Sequence, residues 1–212
     1  MGRIAAFPHL HRPVPSMPEK STEEFQYLAV LLSIVLGLGL TQLLTGVGRL
    51  VQVRGRVRPY WPPLVWVGLL LLIHVQSWWA MFELRTHQGW TFLQFLVVLL
   101  TPICLYLMAA LALPDVAEAT ADGRVLDLRA HYYAQTRWFY GAAAGVIAAS
   151  TLRPVVFDGV LPLDADRELQ FAFLALTAGG AVARRPRYHE AMTLAVTVLL
   201  VAYVALLFAR LR

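Results

Sequence analysis

Between Arg58 and Glu83 the chain runs for 24 residues, Pro59 to Phe82, without a formal charge. About 20 apolar residues in a helix, each rising 1.5 Å, cross the roughly 30 Å hydrocarbon layer of a bilayer. A helix also satisfies its backbone hydrogen bonds internally, as that layer demands. Phe25 to Gly48, the stretch between Gln88 and Pro114, and Ala191 to Ala209 are further runs of this kind. Trp138 to Leu152 and Leu169 to Ala183 are shorter, at 15 residues each. They cross if Arg153 and Arg184 extend their guanidinium groups to the interfaces. The pattern predicts an all-α, polytopic transmembrane helix bundle of six spans, with four spans and two partial or re-entrant segments as the alternative.

Composition agrees. The chain is 58% hydrophobic and 15% charged, against roughly 45 to 50% and about 25% in soluble domains. That excludes a disordered chain and argues against an ordinary soluble enzyme. Residues 1–20 carry Pro8, Pro13, Pro15 and Pro18 without a continuous apolar core. They read as an uncleaved, disordered tail ahead of a single transmembrane domain over 21–212. Ser21 and Glu24 have capping-box spacing at the expected start of the first helix.

The net charge of +5 would suggest nucleic acid in a soluble chain, but its placement gives another reading. Arg49, Arg54, Arg56 and Arg58 follow the first span, Arg124, Arg129 and Arg137 follow the third, and Arg184, Arg185 and Arg187 follow the fifth. In a six-span chain all ten lie on one side, which the positive-inside rule makes cytoplasmic. Both termini are then outside, and no nucleic-acid partner is expected. Trp61, Trp138, Trp78, Trp79 and Trp90 fall near span ends, where amphipathic rings anchor at the interfaces.

Small residues recur at helical spacing in Ser33, Gly37, Thr41 and Thr45, in Gly141, Gly145 and Ala149, and in Ala175, Gly179 and Ala183. These are expected packing seams, within the chain or to a second copy. The second and third spans carry Leu, Phe and Trp all round and are expected to face lipid. Pro102, preceded by Thr101, is expected to bend the third span.

Polar side chains deep in a span are costly and mark candidate sites. His74, Gln76 and Ser77 lie in the far half of the second span, with Gln42 in the first. They define a candidate substrate or ion path, against the plainer reading of hydrogen bonds between His74, Gln76 and the Thr41, Gln42 and Thr45 region. Arg153, Asp158 and Glu83 form a second group at the outer surface, read either as a structural ion pair or as a charged vestibule. Asp127, Arg129 and His131 lie in a charged, aromatic stretch before the fourth span, read as an interfacial amphipathic helix or as a docking patch.

One cysteine, Cys104, excludes an intramolecular disulfide and cysteine-based clusters, and reads as a core residue. Only one of six histidines is well inside a span, and CxxCH, HExxH, phosphate-loop and Rossmann patterns are missing. No metal, cofactor or enzymatic activity is expected.

Three stretches, Tyr27 to Gly48, Tyr60 to Trp79 and Asp127 to Phe139, together resemble a group of small polytopic bacterial inner-membrane proteins of unassigned function. The resemblance implies a multi-pass location in a bacterial cell inner membrane and transfers no activity or site residue. The functional expectation is a channel or transporter for an ion, proton or small solute, with a path near helices one, two and four. The alternative is a non-catalytic membrane subunit or scaffold that binds a membrane protein partner or forms a homo-oligomer. The bilayer itself is the one partner common to both.

Overall fold

A computed structural model of the chain describes residues 19–116, 123–161 and 165–210. Among the described residues there are six α-helices: α1 (Glu19–Gln52), α2 (Trp61–Ala80), α3 (Phe92–Ala112), α4 (Leu128–Asp158), α5 (Ala165–Val182) and α6 (Pro186–Arg210). Glu24–Gln52, Trp61–Thr86, Phe92–Ala112 and Leu128–Asp158 are long and apolar enough to cross a membrane, and Gln170–Val182 is a shorter apolar helix.

The helix starts have local causes. Pro62 and Pro63 occupy the first turn of α2, where their missing N–H groups would have no helical partner anyway. Before α3, Thr91 Oγ1 accepts the Gln94 N–H at 3.2 Å and Gln94 Oε1 accepts the Thr91 N–H at 2.9 Å. This reciprocal cap contributes about 1 kcal/mol. It stands where none was expected, whereas α1 is helical from Glu19, so Ser21 lies inside the helix and not ahead of it. The tail expected over 1–20 lies outside the described residues except for Glu19 and Lys20, which belong to α1.

Helix α4 starts ten residues before Trp138. Asp127 Oδ1 accepts the N–H groups of Arg129 at 2.9 Å and Ala130 at 3.0 Å, which anchors the first turn. The stretch expected to lie separately in the interface is therefore the opening of a continuous 31-residue helix. It ends at Gly159, whose φ of 70° is open to glycine at little cost.

Contacts between loops show which helix ends share a level. The strands β1 (Val57–Arg58) and β2 (Leu126–Asp127) pair in parallel, Val57 opposite Leu126 and Arg58 opposite Asp127. His189 Nε2 donates to the Ala183 carbonyl at 2.7 Å, and the Tyr132 hydroxyl lies 3.0 Å from His189 Nδ1. The three arginine-bearing connections thus meet at one end of the bundle. At the opposite end the His87 ring stacks on Phe157, and Gln170 Nε2 donates to Ser150 Oγ at 3.0 Å.

The principal helix contacts run α1 to α3, α3 to α4, α4 to α5, α5 to α6, α6 to α2 and α2 back to α1, with α2 also touching α3. Six helices form a closed ring. Its core at the arginine end holds Trp66, Leu70, Leu105, Met108, Phe139 and Tyr140. This corrects the expected lipid-facing role of α3, which is the most buried of the four long apolar helices. Its all-round hydrophobicity serves a helix with neighbours on several sides. The seams also differ from the small-residue stripes. In α1 the inward face is Leu32, Leu36, Gly39 and Leu43, while Gly37 has open space beside it and Thr41 and Thr45 are exposed. In α4, Gly145 does serve close packing: a Cβ there would sit 2.7 Å from the Cys104 sulfur.

Candidate functional site

A cavity of about 440 Å³ opens inside the ring, and every helix contributes to its wall. Its apolar walls include Leu32 and Leu36 of α1, Val97 and Val98 of α3, Phe173 of α5, and Leu199 and Leu200 of α6. Its polar side chains are Gln76 and Ser77 of α2, Thr101 of α3, Ser150 and Arg153 of α4, and Gln170 of α5. A second hollow of about 550 Å³ adjoins it, lined by Glu83, Thr86, His87, Pro154, Phe157 and Asp158. Leu84, Ser150 and Arg153 belong to both walls. Arg153, half-buried, stands at the junction.

Local sequence explains the polar edge. Proline cannot donate to the carbonyl four residues earlier, so Pro102 and Pro154 deprive the Val98 and Ser150 carbonyls of their helical partners. Both Val98 and Ser150 are cavity residues, and both helices continue through their prolines. Across the wall, Gln170 donates to Ser150 Oγ and accepts from Thr151 Oγ1 at 3.3 Å, clasping α5 to α4. His87 is held in place by Gln94 Oε1 at 3.4 Å and by the rings of Trp90 and Phe157.

The structure brings Gln76, Ser77 and Arg153 together around the cavity and puts Asp158 and Glu83 in the adjoining hollow. Among the described residues no salt bridge joins Arg153 to either carboxylate; the ion pair that does form is Arg49 with Asp115, at 3.6 Å. Gln42 is exposed on α1, outside the cavity wall. His74 is wholly buried and faces α1 instead of the cavity. Its Nδ1 lies 2.7 Å from the Leu70 carbonyl, and since a carbonyl only accepts, Nδ1 carries the proton. Nε2 packs against Gly39 and has no hydrogen-bond partner among the described residues.

Asp127, Arg129 and His131 each have a structural task at the arginine end. Asp127 caps α4, His131 Nε2 donates to the Leu111 carbonyl in the last turn of α3 at 3.1 Å, and Arg129 lies 5.7 Å over the Tyr60 ring. Burial, and then the bond to Tyr133 at 3.2 Å, push the Tyr60 phenol above the ordinary tyrosine range, so it stays protonated.

A second polar constellation was not picked out in the sequence. Tyr140 and Tyr132 hydroxyls lie 2.6 Å apart, and Tyr132 reaches His189 Nδ1. His189 is fully buried and Tyr140 only 1% exposed. Because His189 Nε2–H is committed to the Ala183 carbonyl, neutral imidazole accepts at Nδ1. The Tyr132 hydroxyl then donates to His189, and the Tyr140 hydroxyl donates to Tyr132. Gly180 makes room for this arrangement, since a Cβ there would lie 3.1 Å from the Tyr140 ring. The signal available in sequence was Tyr132, Thr136 and Tyr140, a polar row of period four, all buried.

Among the described residues no three His, Cys, Asp or Glu side chains converge as metal ligands. The fold is mostly helical, and among the described residues four helices are able to span a membrane by length and composition. No protein-family model, curated protein or solved structure matches the chain.

Proposed function

We propose that this is a six-span protein of a bacterial inner membrane, with both termini outside, that carries a small molecule across the bilayer. The cavity formed by all six helices is the observation that carries this reading. Helix α5 has 18 residues, but its apolar part, Gln170–Val182, is about 20 Å long at 1.5 Å per residue and crosses only where the bilayer thins locally around it. Helix α6 has 25 residues and ample length. With the arginine loops cytoplasmic, the cavity and its charged hollow lie toward the outside. On the cytoplasmic side of the cavity the ring is filled by Leu70, Leu105, Met108 and Tyr140. A cavity closed at one end suits a carrier that alternates its access better than an open channel.

In a Cys104→Ala background, Ser77→Cys is expected to react with a membrane-impermeant maleimide from outside, and Met108→Cys is not. Reconstituted protein should also move at least one of a panel of ions, zwitterions and fluorescent single-chain amphiphiles, with flux reduced severalfold by Ser77→Trp. Labelling only from the cytoplasmic side, or flux no greater than in empty liposomes, would sink the carrier reading.

The outward face of α1 supports a second reading, a scaffold that self-associates. Gly37, Thr41 and Thr45 point away from the ring, and small residues let a neighbouring helix approach closely. Gly37→Cys should then form disulfide-linked dimers in native membranes, and recovery of monomer alone would exclude that face as a contact.

A further inference from the structure

We infer that the cavity takes a zwitterion with one apolar substituent, seated with its anionic group on Arg153, its cationic group toward Glu83 and Asp158, and its apolar body inside the ring. This rests on the carrier reading above and names the substrate class of that site.

The order of chemistry along the two hollows is what selects the ligand. The cavity inside the ring is walled mostly by apolar side chains such as Leu32, Leu36, Val97, Phe173 and Leu200, which offer an apolar body dispersion and burial, with Gln76, Ser77 and Thr101 as neutral polar groups among them. Next comes Arg153, a guanidinium at the neck. A cation in that position calls for a partner, because its loss of hydration is otherwise uncompensated. Among the described residues no carboxylate lies within salt-bridge distance of it. Beyond it the hollow carries two carboxylates, Glu83 and Asp158, and the neighbouring Arg85 is turned away over the Phe82 ring at 3.6 Å. His87 is a wall group, already engaged with Gln94, Trp90 and Phe157.

A simple anion on Arg153 would meet like charge at the mouth, and a simple cation drawn to the mouth would meet Arg153 on the way in. An uncharged amphiphile would leave all three charges unmatched. A head with its negative group nearer the apolar body and its positive group beyond it complements each in turn, and such matching discriminates by repulsion as well as attraction. The Ser150 carbonyl, freed by Pro154, adds an acceptor at the same neck. The volume of about 440 Å³ is at the small end of ligand cavities, roughly 300 to 1,000 Å³, and suits one apolar chain in preference to two. The order of charges is that of a single-chain phospholipid drawn from the bilayer, phosphate beside the acylglycerol and ammonium beyond it; a free apolar amino acid carries both charges on one carbon and lacks it.

The test uses the full chain in nanodiscs and measures equilibrium binding of four probes. Lysophosphatidylethanolamine is the zwitterion with the required order, leucine is a zwitterion without it, lysophosphatidylglycerol is the plain anion, and monooleoylglycerol is the uncharged amphiphile. Lysophosphatidylethanolamine is expected to bind at least about tenfold more tightly than the other three probes, and tighter binding of leucine overturns the order of charges. Arg153→Gln should weaken lysophosphatidylethanolamine binding by about tenfold or more, the scale of a lost charge-assisted pair. Glu83→Gln with Asp158→Asn, both at exposed positions, should reverse the preference between lysophosphatidylethanolamine and lysophosphatidylglycerol or abolish it. Equal binding of charged and uncharged heads, or selectivity unmoved by the carboxylate pair, overturns the inference even if Arg153→Gln fails to fold. Maleimide labelling and flux are read separately, so a carrier that moves some other solute refutes this inference alone, and charge-selective binding without any flux refutes transport alone.

Discussion

His189→Leu is expected to lower the stability of the purified protein by about 2 to 4 kcal/mol, whereas Tyr140→Phe costs about 1 kcal/mol. The imidazole sits in the middle of a buried chain of hydrogen bonds. Its removal leaves the Tyr132 hydroxyl without its acceptor and the Ala183 carbonyl without its donor. Leucine fills the space but answers neither group, and orphaned buried groups are costlier than lost bonds. Tyr140 is at the far end of the chain as a donor, so Phe at that position leaves Tyr132 still bonded to His189. Polar contacts within a bilayer average roughly 0.6 kcal/mol, because the unfolded chain finds partners there too; the larger figure for His189 reflects two orphans at once. Denaturation of the two variants under one set of conditions decides it, and equal losses would show that the chain does not tie α4 to α6.

Gly39→Ala is expected to destabilise the bundle by about 1 to 3 kcal/mol through overpacking. A Cβ at that position would occupy the space of the His74 imidazole, which is buried and tied to its own helix at Leu70. The same change at Gly37, where nothing lies within 4 Å, should be neutral or stabilise by up to about 1 kcal/mol through alanine's better helix propensity. Adding His74→Ala to Gly39→Ala should restore part of the loss, with a coupling of about 0.5 to 3 kcal/mol for residues in contact. If Gly39→Ala is no worse than Gly37→Ala, the two helices do not meet as described.

The helical class and the places of the long apolar stretches were legible because runs without charge over 20 or more residues have few other physical outcomes. Neighbour relations were less so. Leu, Val and Phe on all sides of α3 suit a lipid-facing helix and a central one equally, and only the contacts of α1, α2 and α4 with it decide between them. The stripe Ser33, Gly37, Thr41 and Thr45 looked like a seam because small residues permit close approach, yet α1 turns Leu36 and Gly39 inward instead. Small size allows contact without compelling it. His74 was conspicuous by depth, but depth does not say which side of the helix a residue occupies. Gln76 and Ser77, two and three residues on, face the cavity while His74 faces α1. The His189 network was illegible for a different reason: its members come from α4 and α6, and hydrogen bonds between distant segments leave no spacing to read.

The closed ring also bears on the order in which the protein can be completed. Helices α1, α2 and α3 can associate as soon as they are made, since they contact one another directly. The wall between α2 and α5 is missing until α6, which is made after the other five, fills it. Leu199 and Leu200, two of the cavity's apolar surfaces, arrive only then. A chain that still lacks α6 therefore has no enclosed hollow, and the cavity closes only when that helix has been added.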